Sequence, residues 1–240
     1  MKTFYISNVN SNVIQLTGDE HNHLKNVMRL CVGDNVKVVC GDDFNYFCTI
    51  TEINKNNSVL RVDRKELNVA NPKVNLTCYM ALIKNDNLSL IVQKLTELGC
   101  STLVPFESRY TVNKDKGSKS DKLSVISQQS LKQCGRSKPM NILPTQKLTN
   151  LAEMLKQHDL IVFANETEKS VTLTEALNNN SSAKNIAIII GCEGGFEQSE
   201  IDYLIGLGAV SVGLGSRILR AETASIMLTA IILNYFKEYE

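Results

Sequence analysis

Two stretches near the C-terminus hold the residues best suited to chemistry: Ile188-Ile189-Ile190-Gly191-Cys192-Glu193-Gly194-Gly195-Phe196 and Gly213-Leu214-Gly215-Ser216-Arg217-Ile218-Leu219-Arg220-Ala221-Glu222-Thr223-Ala224. Glycine permits positive φ and lets a ligand come close to the backbone. Gly191, Gly194 and Gly195 therefore suit recognition of an adenine ring or a carboxylate by main-chain N–H and C=O groups. The spacing matches neither G-x-G-x-x-G nor G-x-x-x-x-G-K-[ST], which argues against a Rossmann dinucleotide site or a P-loop. Either loop alone could be a tight turn. Together they set Glu193, Arg217, Arg220 and Glu222 among apolar runs, where a lone buried charge is costly. Such charges are paired with one another or used on a ligand.

The elements around the loops fit that role. Each loop follows a run that reads as a buried strand, Asn185 to Ile190 and Ala209 to Leu214. Open α/β sheets place ligands at the C-terminal ends of their strands. From residue 73 strands and helices alternate: strands at Leu76–Ile83, Ser101–Phe106 and Leu160–Ala164, helices at Leu88–Leu98, Lys122–Cys134, Leu148–Gln157 and Gln198–Leu207. Asn178 to Ser182 is a polar break. This alternation predicts an α/β fold with a mostly parallel sheet covered by helices. The last helix, Ala221 to about Phe236, is apolar nearly all round and needs burial on more than one side, in the core and at a dimer interface.

The first seventy residues read differently. A helix from Asp19 to Met28 precedes short strands at Val36–Val39, Tyr46–Ile50 and Val59–Val62, a small and mostly β module. Asn68 to Pro72 reads as a linker, so the expected domains are 1–70 and 73–240.

Composition narrows the class. No apolar stretch is long enough to span a bilayer, and Met1 to Ser7 lacks the apolar region of a signal peptide. The seven cysteines (31, 40, 48, 78, 100, 134, 192) are scattered without a C-x-x-C pair, which argues against zinc and against a disulfide framework. They suit a reducing cytoplasm. A net charge of +1 gives a nucleic-acid partner no compositional support. Any such role must rest on local patches: Lys114 to Lys122, Lys132 with Arg136 and Lys138, or Arg61, Arg64 and Lys65. Lys94 and Glu97, three apart, suit an intrahelical pair. His21 and His23 fall in a helix start and are too far from the loops in sequence to claim as ligands.

The same loops carry a family resemblance. Ile190 to Phe196 resembles the I-G-P-E-G-G-F motif of the RsmE-type 16S rRNA uracil-N3 methyltransferases, and Leu214 to Ala224 resembles their L-G-x-R-I-L-R-x-E-T-A. Gln93-Lys94-Leu95-Thr96-Glu97-Leu98-Gly99 is similar to their Q-K-x-T-E-L-G, and Gln133 to Arg136 to their E-Q-x-x-R. His23-Leu24 through Arg29-Leu30 and Gly33-Asp34 resembles their N-terminal motif. The five motifs run in order over nearly the whole chain. Two positions depart: Cys192 stands where proline is usual, and Lys132 where glutamate is common.

The resemblance implies a SPOUT methyltransferase domain with a trefoil-knotted C-terminal segment, preceded by a PUA-like RNA-binding β-barrel. It implies S-adenosylmethionine in the knotted loops, held by Gly191, Glu193, Gly194, Gly195, Leu214, Gly215, Leu219, Ala221 and Ala224. It implies a homodimer acting on 16S rRNA of the small ribosomal subunit, with no metal. The catalytic candidates are Arg220, to stabilise charge on a uracil carbonyl, Glu222, to accept the N3 proton or order the arginines, and Arg136, to reach the partner subunit's site or RNA phosphates. Three rivals stand beside this reading: a ribose 2′-O-methyltransferase of the same fold, a non-catalytic assembly factor, and a nucleotide-binding regulatory module.

Overall fold

The computed structural model describes residues 1–83, 85–112 and 119–240. They form two compact units: Met1–Asn71 with Leu131–Pro139, and Pro72–Ser130 with Met140–Glu240. Of the basic run at 114–122, residues 114–118 lie outside the described residues.

The first unit contains β1 (Lys2–Tyr5), β2 (Val13–Thr17), α1 (Gly18–Asn22) continuing into a π turn at His23–Val27, β3 (Asn35–Val39), β4 (Phe44–Ile53) and β5 (Asn57–Leu67). The sheet order β1-β3-β4-β5-β2 leaves two edges, so the barrel is half closed. β2 alternates exposed and buried residues, the period of a sheet with one face on a core. Its Ile14 and Leu16 meet Phe4, Val36, Cys48, Ile50 and Leu60 inside. His21 is a structural residue of this unit: its Nδ1 lies 2.8 Å from Ser58 Oγ and its Nε2 3.3 Å from the Lys55 carbonyl oxygen.

Residues 131–139 complete the unit. The Lys132 ammonium is 2.6 Å from Glu20 Oε1 and that of Lys138 is 2.6 Å from Asp43 Oδ1. Ser137 Oγ donates to the Asp42 carbonyl, and Asn68 Nδ2 donates to the Gly135 carbonyl. Lys132, where glutamate is common in the resembling family, thus has a carboxylate supplied from α1. Two of the three cations in this patch are tied to carboxylates, and the third, Arg136, is only 3% exposed. The patch is therefore not an open basic surface. In the patch on β5, Arg61 pairs with Asp63 and Arg64 with Glu66, while the Arg64 guanidinium lies 4.0 Å over the Phe47 ring.

The second unit contains β6 (Asn75–Ala81), α2 (Asn85–Leu98), β7 (Thr102–Glu107), α3 (Lys119–Cys134, its last turn counted with the first unit), β8 (Asn141–Ile142), β9 (Gln146–Lys147), a 3-10 turn at Leu148–Asn150 and α4 (Ala152–Leu155). There follow β10 (Leu160–Ala164), α5 (Leu173–Asn178), β11 (Asn185–Ile190), α6 (Gln198–Gly206), β12 (Val210–Val212) and α7 (Ala221–Tyr235). The sheet order is β12-β10-β11-β6-β7-β8, with β9 beside β7, and every described pairing in it is parallel. β11 is buried along Ile186 to Ile190, which is why its sequence is a continuous apolar run rather than an alternation. α7 packs on α2 and β11, and its Ala224, Leu228, Ile232 and Leu233 are buried. Lys94 and Glu97 form the expected pair on α2, at 2.9 Å.

Two expected elements differ, and a helix appears where none was expected. The helix over 148–157 is a 3-10 turn and one turn of α4, with Leu148, Leu151 and Leu155 buried. β12 stops at Val212 because Gly213 turns to bridge Thr172, its N–H donating to the Val171 carbonyl. A helix, α5, precedes the polar break, started by a capping box between Thr172 and Glu175.

Candidate active site

Because β10, β11 and β12 are parallel, their C-terminal ends share one edge of the sheet. The chain leaving each of them lines a cavity of about 520 Å³. β10 supplies Ala164, Asn165 and Glu166. β11 supplies Ile190 and the 191–196 loop, and β12 supplies Leu214 to Arg220 ahead of α7. Asn165 is fixed by its own N–H donating to the Val212 carbonyl and its amide donating to Ser211 Oγ.

The glycines shape the walls. Gly195 has φ +66° and its N–H donates to the Cys192 carbonyl at 3.0 Å, closing a tight turn. A Cβ there would come 2.8 Å from Glu166 Oε1. A Cβ on Gly194 would come 2.9 Å from the Tyr110 Cβ, and one on Gly213 would strike the Glu168 carbonyl oxygen. Gly215, at φ +93°, faces open space. Cys192 keeps the turn without a proline: it is 6% exposed, and Ser108 Oγ donates to its sulfur at 3.7 Å.

Of the expected site residues, Gly191, Glu193, Gly195, Leu214, Gly215, Leu219, Arg220, Ala221, Glu222 and Ala224 all line this cavity. Gly194 backs the loop against Tyr110 instead. Arg136 is not among the lining residues: it follows α3 and is enclosed in the first unit. Asn87, Asn165 and Glu166 line the cavity without having been expected there. For the latter two the available signal was position alone, the first residues after a parallel strand.

The charges are arranged unequally. Glu222, in the first turn of α7, accepts a hydrogen bond from Asn87 Nδ2 on α2 at 3.3 Å. Arg217 and Arg220 are exposed, and among the described residues neither forms an ion pair with Glu222 or any other carboxylate. Two guanidinium groups therefore stand at the cavity ready for an anionic or carbonyl-bearing partner. In the loop after β10, Glu168 takes the Ser170 hydroxyl and the Ser170 and Val171 N–H groups on one oxygen. These hydrogen bonds, the Ser170 hydroxyl first, pull its carboxyl down to about 2.

The cavity suits a nucleoside that carries an amino acid. Ile190, Phe196, Leu214 and Leu219 give apolar faces for a ring. Gly191 and Gly195 bring main chain to the wall, and Glu166 and Glu193 bring carboxylates to it. Ligand sites of this kind combine an apolar lining with a few convergent polar groups.

Comparison with known proteins places this geometry. Residues 70–233 match the RNA methyltransferase domain, and residues 16–63 match the RNA methyltransferase PUA domain. The Rickettsia conorii ribosomal RNA small subunit methyltransferase E is 33% identical over 220 residues, covering 90% of this chain and 88% of that protein. The chain belongs to the ribosomal RNA small subunit methyltransferase E family. The Bacillus subtilis member is 28% identical over 227 residues, again covering 90% of this chain and 88% of that one. The Neisseria gonorrhoeae member, solved bound to S-adenosyl methionine, shares the fold at a TM-score of 0.88 and 22% identity, over 98% of this chain and 97% of that one.

Proposed function

We propose that this protein methylates N3 of a uridine in 16S rRNA of the small ribosomal subunit, using S-adenosylmethionine, as a cytoplasmic homodimer. The observation that carries the reading is the convergence of Arg220 and Glu222 on a glycine-walled cavity that fits the cofactor, in a chain of this family. The family's relatives are named for the small-subunit rRNA, and a neighbour of the same fold was solved with the cofactor.

When bound, the cofactor supplies a methyl group on a cationic sulfur. The residues of this chain manage the base. Methylation replaces N3–H with N3–CH₃, so the N3 proton must leave and negative charge grows on the neighbouring carbonyl oxygens. Arg220 would stabilise that charge. Glu222 would accept the proton; among the described residues it pairs with neither arginine, so the alternative of ordering them is not taken up. Arg136, enclosed in the first unit, is assigned no part in the transfer. The trefoil knot of the C-terminal segment that the family resemblance implies belongs to the same proposal.

The test is mass mapping of modified uridines in small-subunit rRNA from cells with and without this protein. One N3-methyluridine should disappear without it. An unchanged pattern would overturn the reading.

A further inference from the structure

The start of α2 and the start of α7 meet at the cavity through one side-chain hydrogen bond, Asn87 Nδ2 to Glu222 Oε1 at 3.3 Å. Both residues line the cavity. Asn87 lies outside every motif that carries the family resemblance. We propose that Asn87 is a positioning residue that holds one oxygen of Glu222 and leaves the other, Oε2, for the N3–H of the substrate. This rests on the role given to Glu222 above.

Both ends of the hydrogen bond are anchored. Leu88 and Ile91, at 2% and 0% exposure, seat the first turns of α2 in the core. Ala221 and Ala224 bury the start of α7, and Ser225 Oγ donates to the Glu222 carbonyl at 2.9 Å. The backbones are thus fixed and Asn87 sets the carboxylate's remaining freedom, its rotamer. The charged groups sharing the cavity are Glu166, Glu193, Arg217 and Arg220, and among the described residues neither arginine pairs with Glu222. A neutral amide suits this task. A cation in its place would orient the carboxylate equally well but would favour its charged form and oppose proton acceptance.

A double-mutant cycle tests the proposal on the full chain, with small-subunit RNA from cells lacking the protein as substrate. The variants are Asn87→Ala, Glu222→Gln and the pair. Asn87→Ala should lower kcat about tenfold, the worth of one oriented hydrogen bond, with the calorimetric Kd for S-adenosylmethionine and the KM for RNA within about twofold of wild type. In the Glu222→Gln background it should cause no further loss, since the group it positions has changed. Unchanged kcat in Asn87→Ala beside an impaired Glu222→Gln overturns the positioning role alone. A weakened cofactor Kd overturns it too, by making Asn87 a direct ligand. An equal further loss in the double variant reduces the residue to a structural one. Wild-type turnover in Glu222→Gln, with cofactor binding intact, removes the role of Glu222 itself.

Discussion

Gly195 shows how little tolerance the cavity wall has. Its φ of +66° disfavours any side chain, and a Cβ would press on Glu166. Gly195→Ala should cost about 1–2 kcal/mol of stability and weaken S-adenosylmethionine binding at least tenfold; thermal denaturation and calorimetry on the same preparation read both. Arg220 is exposed and without an ion pair among the described residues, so the fold does not depend on it. Arg220→Ala should keep the melting temperature within a few degrees while kcat falls about 100-fold or more. A variant that turns over like wild type would take Arg220 out of the mechanism. Most of the cavity was readable in the sequence at this scale, because glycines beside charges and strand ends are locally unusual. Asn165, Glu166 and Asn87 were not, since nothing distinguishes a lone polar side chain until the fold brings it to the same edge. Arg136 is a motif residue whose burial only the fold reveals.

Among elements, the loop after β10 depends on a single carboxylate. Glu168 gathers three hydrogen bonds on one oxygen, and its backbone carbonyl backs Gly213. Its folded pKa, about 2, lies below its ordinary 4.5, so its contribution to stability is complete above about pH 4.5 and disappears as pH falls towards 2. Denaturant midpoints measured down that range should fall less steeply for Glu168→Gln than for wild type. The C-terminal tail is a second dependence. Glu238 accepts the N–H groups of Lys73 at 3.0 Å and Val74 at 2.8 Å, and Tyr239 Oη donates to the Leu98 carbonyl. Deleting residues 238–240 should lower unfolding free energy by about 2 kcal/mol in urea titration, the range for hydrogen bonds to a charged group. Long elements with clear periodicity, such as α7, α2 and β11, were legible in the sequence. The expected helix over 148–157 was not recognisable as broken, because its leucines keep a helical spacing while tertiary packing allows only single turns. The capping box that starts α5 was a readable signal in Thr172-x-x-Glu175, yet its short helix was lost beside the polar break.

On the scale of the molecule, α7 keeps apolar residues outside the core that the second unit provides. Ile231 is 40% exposed, Leu90 on α2 is 42% exposed, and Ile218, in the loop ahead of α7, is 86% exposed. These side chains are where the homodimer proposed above would add burial. Sedimentation at micromolar concentration should give a dimer, and a monomer there would count against it. The alternation of strands and helices made the parallel sheet legible, as the short β runs did for the first unit. What no local pattern shows is that the first unit is discontinuous in sequence. It needs Leu131–Pro139 as well as Met1–Asn71, with Ser137 on Asp42, Gly135 on Asn68 and Lys132 on Glu20. A nascent chain therefore cannot finish its first unit when the linker emerges from the ribosome. At roughly 5–20 residues per second, the half-barrel waits some seconds, with the Asp42 carbonyl and the Glu20 carboxylate still lacking these partners, until Pro139 has been translated.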